Sequence, residues 1–321
     1  MTFSKIDIEL TKPKEQINLY GYKKYFKTFV KLYNNKKLPN VILLSGLKGL
    51  GKATFAYHFI NYLLSNDEDH SYSIDDFKIK TNNKSYNLIL NNLHPNFFLL
   101  DTTTESENIK IEYVRNLIKF TNKSTYSKDI KLVLIDNAEC LNENSANAML
   151  KTLEEPAPNT FFFIIHNSSA KILDTIKSRS IKFNIFFSLI DKKKIFENIL
   201  NDFDFDFKFD SSLYFETPGN FLKYLILFKD LNDNNFSSKL DCISFLIDKY
   251  KTSNDQELLN VLSSLIEQYY NAKSLEDSKN LNNHFFYRNK ILNNIHNVKK
   301  FNLDKKNLFI SIKEFIANET R

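Results

Sequence analysis

Gly46, Gly49 and Gly51, three of the chain's five glycines, fall within six positions, with Lys52 directly behind them and the apolar run Val41-Ile42-Leu43-Leu44 in front. This order predicts a buried strand, a tight loop and a helix over Phe55 to Leu64. Glycines at these places let backbone N–H groups turn inward around a polyphosphate, and the positive end of the helix and the lysine ammonium meet its charge. The spacing G-x-x-x-x-G-K thus marks a nucleotide site with a physical mechanism. The plainer alternative, a glycine-rich turn with a surface lysine, fits the flanking strand and helix less well.

The residue after Lys52 departs from the full motif. A hydroxyl there would ligate Mg²⁺, but the chain has Ala53, with Thr54 one position later. A helix turns by about 100° per residue, so the Thr54 hydroxyl is expected to point elsewhere. Binding is expected to survive such a loss because the cradle is made of backbone groups. Metal-assisted hydrolysis is expected to suffer.

Helical periodicity and short apolar runs alternate up to about residue 186. Strands are predicted at Phe97 to Leu100, Leu132 to Ile135, Phe161 to Ile165 and Ile181 to Phe186. Between them run helices with inner faces of Val114, Leu117 and Ile118, then Ala146, Met149, Leu150 and Leu153, then Ile172, Leu173 and Ile176. Strands apolar throughout and separated by helices indicate a parallel sheet covered on both faces. The polar stretch Asn66 to Leu93 is expected to be a surface insertion. Beyond Gly219 lie 102 residues without glycine or proline. Two sets there follow helical spacing: Phe236, Leu240, Ile243, Ile247 and Tyr250, and Leu258, Val261, Leu262, Leu265 and Tyr269. The C-terminal third is therefore expected to be all helical.

With 321 residues the chain is long enough for two or three domains, and its net charge of +6 permits contact with nucleic acid without requiring it. Two cysteines, Cys140 and Cys242, provide neither a disulfide framework nor a four-cysteine zinc site. No apolar run approaches the roughly 18 residues of a membrane span, and Met1 to Lys14 lacks a signal-peptide core. A cytoplasmic protein without membrane contact is expected.

The predicted strand Leu132 to Ile135 ends in Asp136, where a phosphate-loop ATPase places the acid that holds its metal. Asn137 follows, at the place where active ring-forming ATPases usually put a glutamate. Glu139 stands three residues on and is expected to point away from the phosphate, as a solvated or helix-starting residue.

Residues 132 to 180 carry a more specific pattern: Asp136-Asn137-Ala138-Glu139, then Asn147-Ala148-Met149-Leu150-Lys151-Thr152-Leu153-Glu154-Glu155-Pro156, then Ser178-Arg179-Ser180. These resemble the D-x-A-x, N-A-L-L-K-x-L-E-E-P and S-R-C motifs of bacterial DNA polymerase III clamp-loader subunits of the AAA+ class, the delta-prime type among them. The likeness covers about 38 to 186 closely and the remainder by architecture. It implies an α/β AAA+ module (1–186), a small helical lid (187–231) and an all-α collar (232–321).

It also implies that Arg179 reaches in trans into a neighbour's ATP site. Arginine occurs only at 115, 179, 288 and 321 among 44 basic residues, and its planar fork grips phosphate oxygens as lysine cannot. A helix-end arginine capping carbonyls is the alternative. By the same resemblance, Gly46, Gly49, Gly51, Lys52, Ala53, Thr54 and Asp136 line the nucleotide site, and Asn167 falls at the polar sensor position. Pro218 to Lys223 resembles the lid helix, with Leu222 in place of its sensing arginine. ATP, held structurally, is the implied cofactor. Zinc is not expected, since Asn66 to Leu93 lacks the four cysteines of zinc-bearing relatives. The implied partners are gamma/tau and delta types in a hetero-pentamer, the sliding clamp, and primed DNA through the complex. Two other readings stay open: an autonomous ATPase such as a gamma subunit or branch-migration helicase, and an interaction protein with an empty phosphate loop.

Overall fold

The computed structural model describes residues 12–102, 109–123, 130–202, 216–229, 239–253, 256–301, 308–310 and 312. Contacts divide the chain into two compact units, one of residues 1–207 with 217–219, the other of 208–216 with 220–321.

The first unit is built on five strands: β1 (Val41–Gly46), β2 (Phe97–Leu100), β3 (Lys131–Ile135), β4 (Thr160–Asn167) and β5 (Ile181–Asn184). They pair in the order β2-β3-β4-β1-β5, every pair parallel. Between them come α1 (Lys23–Asn34), α2 (Lys52–Ser65), α3 (Lys84–Leu90), α4 (Ile111–Asn122), α5 (Glu143–Glu154) and α6 (Asp174–Ser178), with α7 (Leu189–Asp202) after β5. The central strands β1 and β3 are buried along their whole length, as a sheet covered on both faces requires, whereas edge strand β5 is largely exposed.

Alternate residues of each strand serve opposite faces. One parity, Val41, Leu43, Val133, Ile135, Phe162 and Ile164, packs with Val114 and Leu117 of α4, Ala146, Met149 and Leu153 of α5, and Ile176 of α6. The other parity meets an aromatic layer from α1 and α2. Phe59 lies 5.8 Å from Phe163, Phe29 lies 4.8 Å from Phe183, and Phe55 stacks on Tyr22 at 4.8 Å. Helix α5 starts where the Asn142 side chain accepts the Ser145 amide at 2.8 Å, satisfying an amide that has no partner inside the helix.

Asn66 to Leu93 is not a surface insertion. Tyr72 stacks on Phe26 at 5.0 Å, and Phe77, Ile79, Tyr86 and Ile89 are buried. A polar network holds the stretch in place: buried Asn61 donates to Asn83 at 2.9 Å, and His58 bridges Tyr72 and the Gln16 carbonyl. Burial pulls the His58 pKa down to about 4, so this imidazole is neutral at physiological pH.

The second unit is helical: most of α8 (Pro218–Lys229), then α9 (Lys239–Ser253), α10 (Gln256–Glu276) and α11 (Leu281–Phe301). Ile243, Ile247 and Tyr250 of α9 and Leu258, Val261, Leu262 and Leu265 of α10 are buried, as their spacing predicts. At the end of that run Tyr270 is buried in place of the half-buried Tyr269. Phe236 lies outside the described residues.

Candidate functional site

Four parallel strands end on one side of the sheet, and their ends bring the predicted nucleotide residues together. Gly46 closes β1 in register with Asn167, the last residue of β4. A Cβ at Gly46 would stand 2.5 Å from the Ile185 carbonyl oxygen, so the chain leaving β5 demands glycine here. The loop then passes through left-handed backbone at Gly49 (φ +85°) and Gly51 (φ +81°). At Gly51 there is room for a side chain, with Tyr22 the nearest group at 3.6 Å, so its conformation alone explains the glycine.

The loop is anchored from behind. Tyr22 donates its hydroxyl to the Leu50 carbonyl at 2.9 Å, and the Gly219 amide donates to the Gly49 carbonyl at 2.7 Å. Helix α2 starts directly at Lys52 with no side-chain cap, and the amides of its first turn have no acceptor inside the helix. Lys52 is buried and donates to the carbonyls of Gly46 at 2.8 Å and Leu47 at 2.7 Å. Burial lowers its pKa to about 8, against the opposing pull of Glu139 and Asp136. Ala53 supplies no hydroxyl, and Thr54 beside it is half-buried.

Asp136 follows β3. Burial, then the neighbouring Asp101, raises its carboxyl to about 6, while the Asn137 amide donating at 2.9 Å pulls the other way. Asn137 is itself left-handed (φ +52°), and its carboxamide donates to Asp101 at 2.9 Å. The turn this creates brings Glu139 inward, contrary to the direction expected from sequence. Its carboxylate accepts the Asn167 amide at 3.1 Å, and its charge acts on Lys52. The Asn167 side chain accepts from the Ser169 amide at 3.2 Å.

Asp101 is the site residue that sequence reasoning passed over, and Glu139 the one it named but turned the wrong way. Asp101 directly follows the buried strand Phe97 to Leu100, just as Asp136 follows β3, and an acid at the end of a buried strand was the signal available for it. Arg179 stands apart at the end of α6. Its Nε donates to Glu154 at 2.6 Å and Nη2 donates to the same carboxylate, while Nη1 donates to the Thr175 carbonyl at 3.0 Å.

The groups present fit a nucleotide polyphosphate: a cationic side chain at a helix N-terminus, first-turn amides and a loop with two left-handed glycines. For a catalytic metal they offer one ligand fewer than the full motif, since Ala53 carries no hydroxyl.

The raised Asp136 carboxyl has a measurable consequence. The folded-state Asp136 titrates near 6 and the unfolded one near 3.8, so between those values the folded state carries the extra proton. Stability therefore falls as pH rises through this window and stays reduced above it, by at most about 3 kcal/mol. Asp136→Asn should raise the melting temperature at about pH 7.5 and lose that advantage toward about pH 4. Melting curves across this range check it, and a variant no more stable than wild type at neutral pH would contradict it.

A parallel sheet with a phosphate loop after β1 and an acid after β3 defines a phosphate-loop nucleotide-binding module. The chain belongs to the family whose model, described as DNA polymerase III, delta subunit, matches residues 21–186, just over half its length. It is 32% identical over 140 residues to the delta-prime subunit of Pseudomonas aeruginosa, a stretch covering 44% of this chain and 41% of that one. It is 26% identical over 154 residues to the delta-prime subunit of Escherichia coli K12, covering 48% and 44%. The matches thus span less than half the length of these relatives. A crystal structure of a DNA polymerase III gamma subunit-related protein from Thermotoga maritima aligns over 92% of this chain and 99% of its own, with 19% identity and a TM-score of 0.49. Among the described residues, no helix is long and apolar enough to cross a membrane.

Proposed function

We propose that the chain serves a DNA polymerase III clamp loader as its delta-prime-type subunit, holding ATP with little turnover and lending Arg179 to a neighbour's ATPase site. The observation that carries this reading is a paired loss inside an otherwise built cradle. Ala53 replaces the metal-binding hydroxyl, and Asn137, its carboxamide turned to Asp101 at 2.9 Å, stands where a water-orienting glutamate belongs. In this reading Gly46, Gly49, Gly51 and Lys52 hold the phosphates, with Thr54, Asp136 and Asn167 around them. A helical lid (187–231) follows, and the collar (232–321) joins gamma/tau-type and delta-type sisters in a hetero-pentamer. The assembly opens the ring-shaped sliding clamp on primed DNA. A subunit that does not cycle gives the hydrolysing subunits a fixed body to close against.

One observation favours a second reading, an ATPase active in its own right. Glu139 places a carboxylate at the site and bonds Asn167 at 3.1 Å, so an acid is present even though Asn137 is not one. An ATP titration and a turnover assay on the purified protein separate the two. Binding without appreciable turnover is expected, and Lys52→Ala should weaken it by roughly 10–100-fold, the worth of a charge-assisted contact. Turnover of about one per second or more, abolished by Lys52→Ala, would overturn the proposal and favour the second reading.

A further inference from the structure

Helix α1 and the turn behind it carry Lys23, Lys24, Lys27, Lys31, Lys36 and Lys37, six lysines in fifteen residues with no acid among them, against roughly one lysine in eight for the whole chain. All six are exposed, while the opposite face of the helix buries Phe26 and Phe29 in the aromatic layer. Lys23, Lys27 and Lys31 follow at i, i+4 and i+8, about 6 Å apart along the axis, and like charges at this spacing repel. Lys23 and Lys24 also sit in the first turn, where the helix dipole disfavours cations. The helix ends in a left-handed Lys36 (φ +55°), where glycine is the usual residue. Among the described residues no carboxylate lies within ion-pair distance of these ammonium groups. Lys23 has one compensating contact, its ammonium 5.9 Å from the centre of the Phe77 ring, and no glutamate or glycine within the helix relieves the other strains.

The stripe borders a groove of about 430 Å³ lined by Lys27, Val30, Lys31, Asn34, Asn35 and Ile74. Val30 and Ile74 give it an apolar floor, the asparagines add donors and acceptors, and two ammonium groups stand at its side. Counter-charge comes from the turn that carries Ile74, where Asp75 is exposed and Asp76 accepts from the Ser73 hydroxyl at 3.0 Å. Two acids leave the surface strongly positive.

We infer that α1 and this groove form a binding surface for single-stranded DNA, separate from the phosphate loop. The lysine stripe follows successive phosphates, and the groove receives an unpaired nucleotide. Its volume lies in the range of small-molecule sites, room for a single unpaired nucleotide. A row of ammonium groups recognises backbone phosphate without reading sequence. The choice of DNA over another polyanion rests on the clamp-loader reading, in which the chain works beside a single-stranded template.

The test is fluorescence anisotropy of the full-length protein, without sister subunits, with a labelled oligothymidine of about 16 nucleotides. Lys27→Glu with Lys31→Glu should weaken binding at least about tenfold at low salt, and Lys27→Ala with Lys31→Ala should lower the log–log salt slope by roughly 0.7 per lysine. The charge-matched control, Lys193→Glu with Lys194→Glu on α7, should change affinity much less, and matching melting curves establish that each variant folds. No measurable binding by the wild type, unchanged affinity in the α1 variants, an equal loss in the control, or tighter binding of a duplex of the same length titrated in parallel would overturn the inference. Because no partner is present, this result is independent of whether the chain assembles with clamp-loader subunits.

Discussion

Arg179→Ala should leave the fold and nucleotide binding of this chain intact while slowing ATP hydrolysis and clamp loading by the reconstituted complex. The guanidinium is 27% exposed and its partner Glu154 47%, and an ion pair so placed contributes about 1 kcal/mol or less. The same exposure makes the pair exchangeable, so phosphate oxygens from a neighbour can compete with Glu154 for the guanidinium. Phosphoryl transfer builds charge on the transferred group, and an arginine supplied in trans is worth roughly 10³–10⁵ in rate in GTPases. The effect in a ring should be smaller because other sites keep their own arginines. Arg179→Lys should restore little, since an ammonium lacks the planar fork. ATPase measured with primed DNA and clamp present decides it. A wild-type rate would reduce Arg179 to a helix-end tie on Glu154 and Thr175.

The largest stability effect is expected in the aromatic layer beneath the phosphate loop. Phe55 is fully buried, with Tyr22 stacked at 4.8 Å, Phe29 edge-on at 5.1 Å and Phe26 edge-on at 6.2 Å. Phe55→Ala removes these contacts and leaves a cavity that the rigid sheet cannot close, at a cost of about 3–5 kcal/mol. For a unit of this size that lowers the melting temperature by about 6–20 °C. Tyr22 also holds the Leu50 carbonyl, so the loop should loosen and ATP binding weaken in the same variant. Calorimetry with an ATP titration measures both, and a loss below about 1 kcal/mol would mean that the layer repacks.

The strands were legible from their apolar runs: the Phe97–Leu100 strand has the predicted bounds, and the ends of the others differ by a residue or two. Helices α4 and α5 were equally plain from their inner faces. The stretch 66–93 was not, because Tyr72, Phe77, Ile79, Tyr86 and Ile89 reach the core singly from turns and one short helix and follow no sustained period. The loop glycines and Lys52 could be read from spacing alone. Glu139 could not, since its direction depends on a left-handed Asn137 and the short 3-10 turn Ala138–Cys140, a backbone detail that residue types do not fix. The Arg179–Glu154 contact joins residues 25 apart and depends on the packing of α5 against α6, which no local pattern encodes.

Whether this chain works as a delta-prime-type clamp-loader subunit can be read by native mass spectrometry of the full-length protein mixed with gamma/tau-type and delta-type subunits from the same organism. A hetero-pentamer containing a single copy of this chain is expected. A chain that stays free in the mixture, or closes into a ring of its own copies, would contradict it.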